Sequence, residues 1–176
     1  MIINRAWAVA NKWTFKIPPI AELLARYVNG GKGWIDPFAG MYSPAEIRND
    51  INKETEAEYH LDALEFIRIL NGNTYNGCLF DPPYSLEQCK RSYESHGLQF
   101  NYDASHECVR WSKLKYHISR KIKPGGYTIS FGWNSNGFGK ARGFAILEIL
   151  LIAHGSAKND TIVTVERKIQ HGLELA

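Results

Sequence analysis

The chain has 176 residues, 44% hydrophobic and 22% charged, with a formal net charge of +3. This composition excludes a disordered chain and suffices for one globular core. The longest apolar run, residues 149–153, is too short to span a bilayer.

The N-terminal stretch MIINRAWAVANKW lacks the basic start, apolar centre and cleavage site of a signal peptide. PPIAELLARYVNGG then predicts a helix. Proline sits at its start, Ile20, Leu23, Leu24, Tyr27 and Val28 share one face, and Gly30 or Gly31 ends it. GWID predicts a short buried strand running into DPFAG. AEIRND is a second, more polar strand, and EAEYHLD is a third. ALEFIRIL predicts a short amphipathic helix, GCLF a strand, and LEQCKRSYESHG a helix closed by Gly97. After a loop at 98–104, Val109, Trp111, Leu114, Ile118 and Ile122 recur at helical spacing from about Ser105, and KPGG stops that helix. YTISF predicts a strand, and GWNSNGFGKARG a glycine-rich connection with one helical turn. ILEILLIA and DTIVTVERK form an antiparallel hairpin around HGSAKN.

Strands alternating with helices predict an α/β fold: a mostly parallel seven-stranded sheet, helices on both faces, and the antiparallel C-terminal hairpin at one edge. The chain reads as one domain, residues 1–176. Ligands in such folds bind beyond the carboxyl ends of strands, where strand order reverses. DPFAG and DPPY both stand at predicted strand ends and so point to one cleft.

Three cysteines, Cys78, Cys89 and Cys108, without a CxxC pair suit a reduced intracellular setting. The set Cys89, His96, His106 and Cys108 matches no common zinc spacing, so no metal is expected. Between Cys108 and Leu147 lie Arg110, Lys113, Lys115, Arg120, Lys121, Lys123, Lys140 and Arg142, and no acid. That stretch fits a phosphate-binding surface and a solvated helix face equally well.

The run CLFDPPYSLE carries the chemistry. An apolar strand ending at Phe80 is followed by an acid, two prolines and an aromatic ring. Neither proline donates a backbone hydrogen bond, so Asp81 to Tyr84 form a stiff loop just past a strand end. At average composition a chain of this length contains DPPY by accident about once in a thousand.

DPPY at a strand end, preceded by DPFAG at an earlier one, resembles the amino-group DNA methyltransferases of the N6-adenine type, from about Phe15 to Arg167. The resemblance implies a Rossmann-like methyltransferase fold, S-adenosylmethionine as cofactor, DNA as partner, and a cytoplasmic setting in a prokaryotic cell or phage-infected host. It implies catalytic roles for Asp81, Pro82, Pro83 and Tyr84. An exocyclic adenine amine is a poor nucleophile, because its lone pair is delocalised into the ring. The Asp81 carboxylate and the Pro82 carbonyl would each accept one amine N–H, favouring a pyramidal nitrogen and its developing positive charge. Tyr84 would stack on the extruded base, an interaction worth about 1–3 kcal/mol.

On the cofactor side the resemblance points to Phe15, Lys16 and Ile17, to Asp36, Pro37, Phe38 and Gly40, and to Asp62 and Ala63. Met41 and Tyr42 replace further glycines usual in that loop. Asp50 follows the second strand, where an acid commonly holds ribose hydroxyls. Asp62 also reads as a helix N-cap, and the two roles are compatible. FKIPPI reads equally as the lead-in to a helix. Ser85 and Tyr93, within a segment running to Asp103, lie beside the catalytic loop and either contact DNA or cap the cleft. Trp133 and Asn134 line a base pocket or belong to an ordinary polar loop.

Only 40 residues separate Gly40 from Asp81, and the chain ends soon after its last strand. This leaves no room for a separate target-recognition domain. Sequence selection would then come from short loops, a recognition partner or a homodimer. RNA adenine, another amine or amide acceptor, and a non-catalytic nucleic-acid-binding subunit are the competing readings.

Overall fold

The computed structural model describes residues 1–97, 99–100, 105, 111–155 and 159–169. Seven strands form one sheet: β1 (Ile2–Trp7), β2 (Trp34–Asp36), β3 (Ile47–Arg48), β4 (Tyr75–Phe80), β5 (Ile122–Gly132), β6 (Phe144–Ala153) and β7 (Thr161–Lys168). Their spatial order is β1-β6-β7-β5-β4-β2-β3. β7 runs antiparallel to β5 and β6, and every other pairing is parallel.

Helices cover both faces. α1 (Pro18–Val28) begins with two prolines, where missing N–H groups cost nothing, and buries Ile20, Leu23, Leu24 and Val28. Full burial of Ile20 and Leu23 stabilises the fold by about 1.5–3 kcal/mol each. They pack with Leu79, Ile129, Phe131, Val163 and Val165 on one sheet face. α2 (Ala63–Ile69) and α4 (Ser112–Ser119) pack against Cys78, Phe80 and Ile122 on the other. α3 (Leu86–Ser95) follows the DPPY loop. The alternation of residues 78, 79 and 80 between the two cores is the period of two expected of a strand buried on both sides. Gly77 sits opposite Trp34 in register, and any Cβ there would lie 2.5 Å from the Trp34 ring. Only glycine lets that indole lie across β4.

Several sequence expectations change. EAEYHLD forms no strand; it contributes a single parallel bridge between Asn49 and Tyr59. The seventh strand is instead β1, which pairs with β6 along its whole length. Its residues are mostly exposed, so it carries no alternating pattern to read. The C-terminal hairpin is therefore not an edge, because β1 lies outside it. The second strand shrinks to Ile47–Arg48. KPGG does not stop the helix, which ends at Ser119; it bulges out of β5, where residues 123–126 face only Asn76. The start of the helix expected from about Ser105, with Val109, and most of the 98–104 loop lie outside the described residues, as do His106 and Cys108. Among the described residues there is no cluster of metal-ligating side chains, and no helix long and apolar enough to cross a membrane.

Glu148 joins β1 and α1 to β6. It is 1% exposed and accepts from Asn4 (3.1 Å), Arg26 (2.8 Å) and Tyr27 (2.8 Å). Burial pushes its carboxyl up, but the three donors together outweigh burial and hold it below the usual glutamate value. A depressed carboxyl stabilises the fold above its unfolded value, and that stability is lost as pH falls through the lower folded value. Chemical denaturation of wild type and Glu148→Gln between pH 6 and 3 checks this: the wild type loses stability on acidification, and the variant loses less.

Candidate active site

The sheet order reverses at β2. The chain steps from β2 outward to β3, then returns to β4 on the other side. Ile35 pairs with Cys78, so the loops after Asp36 and Phe80 leave the sheet side by side. This is the switch-point crevice where open α/β sheets bind ligands.

Buried polar groups hold the first loop. Asp36 is fully buried and accepts from the Phe38 N–H (2.9 Å) and the Ser43 hydroxyl (2.6 Å). Burial raises its carboxyl to about 7; Ser43 and Phe38 oppose that rise, while Asp81 and Asp50 add to it. Asn49 donates to the Pro37 and Leu61 carbonyls (3.1 and 3.0 Å) and accepts from the Leu61 N–H (2.9 Å). It thereby ties three segments together. Asp50 accepts from the N–H groups of Gly40 and Asn52, both at 2.8 Å. Asp62 caps α2 through the Leu64 N–H (2.9 Å) and accepts from the Tyr93 hydroxyl (2.7 Å).

In the second loop, the Tyr84 hydroxyl donates to Asp81. The Thr14 hydroxyl stands near that carboxylate. Burial raises the Asp81 carboxyl, and the two hydroxyls oppose the rise. Gln88 accepts from the Tyr84 N–H at 2.7 Å, and Ser85 caps α3 by accepting from the Gln88 N–H at 3.2 Å.

Two cavities open on either side of Pro82, Pro83 and Tyr84, which line both, as does Trp111. Trp111 holds a φ of +49°, unusual for so bulky a residue, and its ring meets Phe38 at 5.2 Å. The first cavity, of about 300 Å³, contains Thr14, Phe38, Asp50, Asp62, Asp81 and Tyr93 in its wall. The second, of about 390 Å³, contains Lys115, Ser130, Trp133, Asn134, Asn136 and Arg142. Their charges are opposite. Among the described residues, three carboxylates and no lysine or arginine line the first, whereas Lys115 and Arg142 and no carboxylate line the second.

The glycine-rich wall of the second cavity is fixed from below by Glu166, which is fully buried. It accepts from the N–H groups of Phe138 (2.6 Å) and Gly139 (2.8 Å) and from the Thr128 hydroxyl (3.3 Å). Gly137 is required there: its φ is +50°, and a Cβ would lie 2.4 Å from the Glu166 carboxylate.

Of the residues expected from sequence, Pro37, Phe38, Asp50, Asp62 and Ala63 line the first cavity, together with Asp81. Tyr93, expected to contact substrate, lines this acidic cavity as well. Trp133 and Asn134 line the second, with the Trp133 ring 5.7 Å from Tyr84. Phe15 and Ile17 lie in the core, and Lys16 is exposed with its ammonium 4.5 Å from the Tyr42 ring. Asp36, Gly40 and Ser85 shape loops without lining either cavity. Sequence reasoning missed Thr14, Asn49, Ser130 and Glu166, and placed Lys115 and Arg142 only within the acid-free basic stretch. A lone acid inside the apolar run TIVTVERK was a readable sign of Glu166; the others carry no motif.

No protein-family model and no curated protein matches the sequence. Solved structures do match. The 1,6-didemethyltoxoflavin-N1-methyltransferase of Burkholderia thailandensis, with bound 1,6-didemethyltoxoflavin and S-adenosylhomocysteine, aligns at a TM-score of 0.55 and 11% identity, over 86% of this chain and 77% of that one. The N-methyltransferase NodS of Bradyrhizobium japonicum WM9, in complex with S-adenosylhomocysteine, aligns at 0.53 and 10% identity, over 92% and 94%. TrmN from Thermus thermophilus aligns at 0.53 and 16% identity, over 87% of this chain and 49% of that one, so the chain spans about half the length of TrmN. The chain has the Rossmann-like methyltransferase fold.

Asn49→Ala tests the bracing of the first cavity. It removes one buried and two partly buried hydrogen bonds, so stability falls by about 1–3 kcal/mol in denaturant titration.

Proposed function

We propose that the chain is an S-adenosylmethionine-dependent methyltransferase acting on the N6 amino group of adenine in DNA. One observation carries the reading: Pro82, Pro83 and Tyr84 of the DPPY loop form a wall common to an acidic and a basic cavity. The solved methyltransferases of the same fold support the choice of cofactor.

The acidic cavity fits that cofactor's chemistry. Asp50, Asp62 and Asp81 suit a sulfonium and an amine together, and no cation among the described lining residues opposes them. Asp50 would hold ribose hydroxyls, and Phe38, Ile51 and Ala63 offer apolar surface to a purine. When bound, the cofactor supplies an electrophilic methyl group.

The chain's own part is to hold the nucleophile. A carboxylate has about four lone-pair sites, and the Tyr84 hydroxyl leaves room on Asp81 for an amine N–H. Two trans prolines keep Asp81 and the Pro82 carbonyl in a fixed relation. Tyr84 and Trp133 bring ring surface to the second cavity, where an unstacked base would lie.

Incubation with labelled cofactor and mixed DNA and RNA, then digestion to nucleosides and mass spectrometry, tests the reading. N6-methyladenine from DNA is expected. Label in RNA or in cytosine would replace the acceptor, and no incorporation at all would overturn the activity.

Two further outcomes follow from the geometry. Asp81→Ala should lower methyl transfer by about 100-fold or more, with cofactor affinity by calorimetry nearly unchanged. Burial raises the Asp36 carboxyl to about 7, so protonation of the carboxylate is accessible near neutral pH. A cation entering the neighbouring cavity lowers that value, so cofactor binding near pH 7 should release protons. Binding heats measured in buffers of different ionisation enthalpy should show the release, and Asp36→Asn should abolish it.

A further inference from the structure

We infer that Lys115 and Arg142 form an anion subsite inside the basic cavity, one that takes the phosphate of the acceptor nucleotide. The inference rests on the acceptor reading above and adds a requirement to it: the acceptor enters as a nucleotide, with a phosphate beside its base.

Both cations line the same cavity, with no carboxylate in its wall among the described residues. Neither forms an ion pair among the described residues, where the salt bridges are Arg26–Glu148, Arg48–Glu58, Lys90–Glu94 and Arg91–Glu87. Lys115 projects from α4 and is half-buried. Its ammonium lies 5.3 Å from the Phe80 ring centre and 5.8 Å from that of Phe138, and donates to the Gly137 carbonyl at 2.7 Å. A lysine ammonium has three donors, so two remain. Arg142 donates to the Phe138 carbonyl at 2.9 Å and to the Ser112 hydroxyl at 3.0 Å, which orients its guanidinium without neutralising it. Glu166, the carboxylate that acts on Lys115 from below the loop, is engaged by two backbone N–H groups and a hydroxyl.

Two like charges on the wall of a partly dry cavity destabilise each other. Burial and Arg142 both push the Lys115 ammonium toward deprotonation. An anion between them relieves both effects and accepts charge-assisted hydrogen bonds. The cavity's other lining fits the rest of a nucleotide. Tyr84 and Trp133 supply ring surface, and Asn134 and Asn136 supply amides. Ser130 adds a buried hydroxyl that has no partner among the described residues. A free nucleotide and a nucleotide within a polynucleotide present the same phosphate chemistry.

Calorimetric titration of the full chain, with S-adenosylhomocysteine in excess to fill the acidic cavity, separates these terms. The probes are adenosine, adenosine 5′-monophosphate and a short adenine-containing single-stranded oligonucleotide. The wild type should bind the monophosphate about 10-fold or more tightly than adenosine. Lys115→Met should erase most of that preference while leaving adenosine affinity unchanged, and Arg142→Gln should reduce it. Lys113→Gln, on the exposed side of the same helix, should leave it intact. Thermal melts establish that each variant is folded, and Arg142→Gln carries the test alone if Lys115→Met is not. Binding of the oligonucleotide as tight as that of the monophosphate assigns the subsite to polynucleotide; weaker binding assigns it to free nucleotide. Equal affinity of the wild type for adenosine and its monophosphate would overturn the subsite, as would a Lys115→Met variant that weakens both ligands equally. No turnover is needed, so a chain that prefers the monophosphate yet transfers no methyl group would refute the methyltransferase reading and leave the subsite standing.

Discussion

The arrangement depends on the reversal of strand order at β2. Because Ile35 pairs with Cys78, the loops following β2 and β4 share one crevice, and the DPPY loop stands as a partition within it. Had β4 been placed on the far side of β3, the loops after β2 and β4 would no longer leave neighbouring strands. Stiffness then matters as much as position. Two consecutive prolines with a hydroxyl latch from Tyr84 to Asp81 limit the drift of this partition toward either cavity.

Polar groups removed from water hold both sides of the partition. Asp36 and Asn49 knot the acidic side, and Glu166 anchors the basic side through the loop at 137–139. Such groups add little net stability when satisfied, but their hydrogen bonds leave few alternative loop conformations. The opposite charges of the two cavities follow from which strand ends contribute. Acids come from the segments after β3 and β4, and cations come from α4 and the turn before β6. The acid-free stretch visible in the sequence thus contributes two of its members, Lys115 and Arg142, to a cavity, while Arg120, Lys123 and Lys140 remain on the surface.

The parts of the chain that follow strong periodicity or carry a rigid motif were legible in the sequence. α1, α2, α3, β4 and the final two strands stand where apolar spacing puts them. DPPY and DPFAG announce their loops because proline and glycine dictate backbone shape regardless of tertiary context. β1 was not legible, since an exposed edge strand is specified by its pairing with β6 and not by its own pattern. EAEYHLD has strand-like spacing but reaches the sheet at one bridge only. The cofactor-side expectations split in the same manner. Residues at strand ends, such as Phe38 and Asp50, line the acidic cavity. In the N-terminal segment the cavity takes Thr14, while its neighbours Phe15 and Ile17 turn into the core. A one-residue shift of this kind is set by packing of the 3-10 turn at Thr14–Lys16, which no local pattern encodes.

The central claim is that the acidic cavity is the cofactor's and the DPPY loop separates it from the acceptor's. A crystal structure of the chain with S-adenosylhomocysteine tests this most directly. The account predicts the ribose against Asp50, the purine near Phe38 and Ala63, and the sulfur facing the Asp81–Pro82 wall. Density for the ligand in the cavity of Lys115 and Arg142, with the acidic cavity empty, would contradict it.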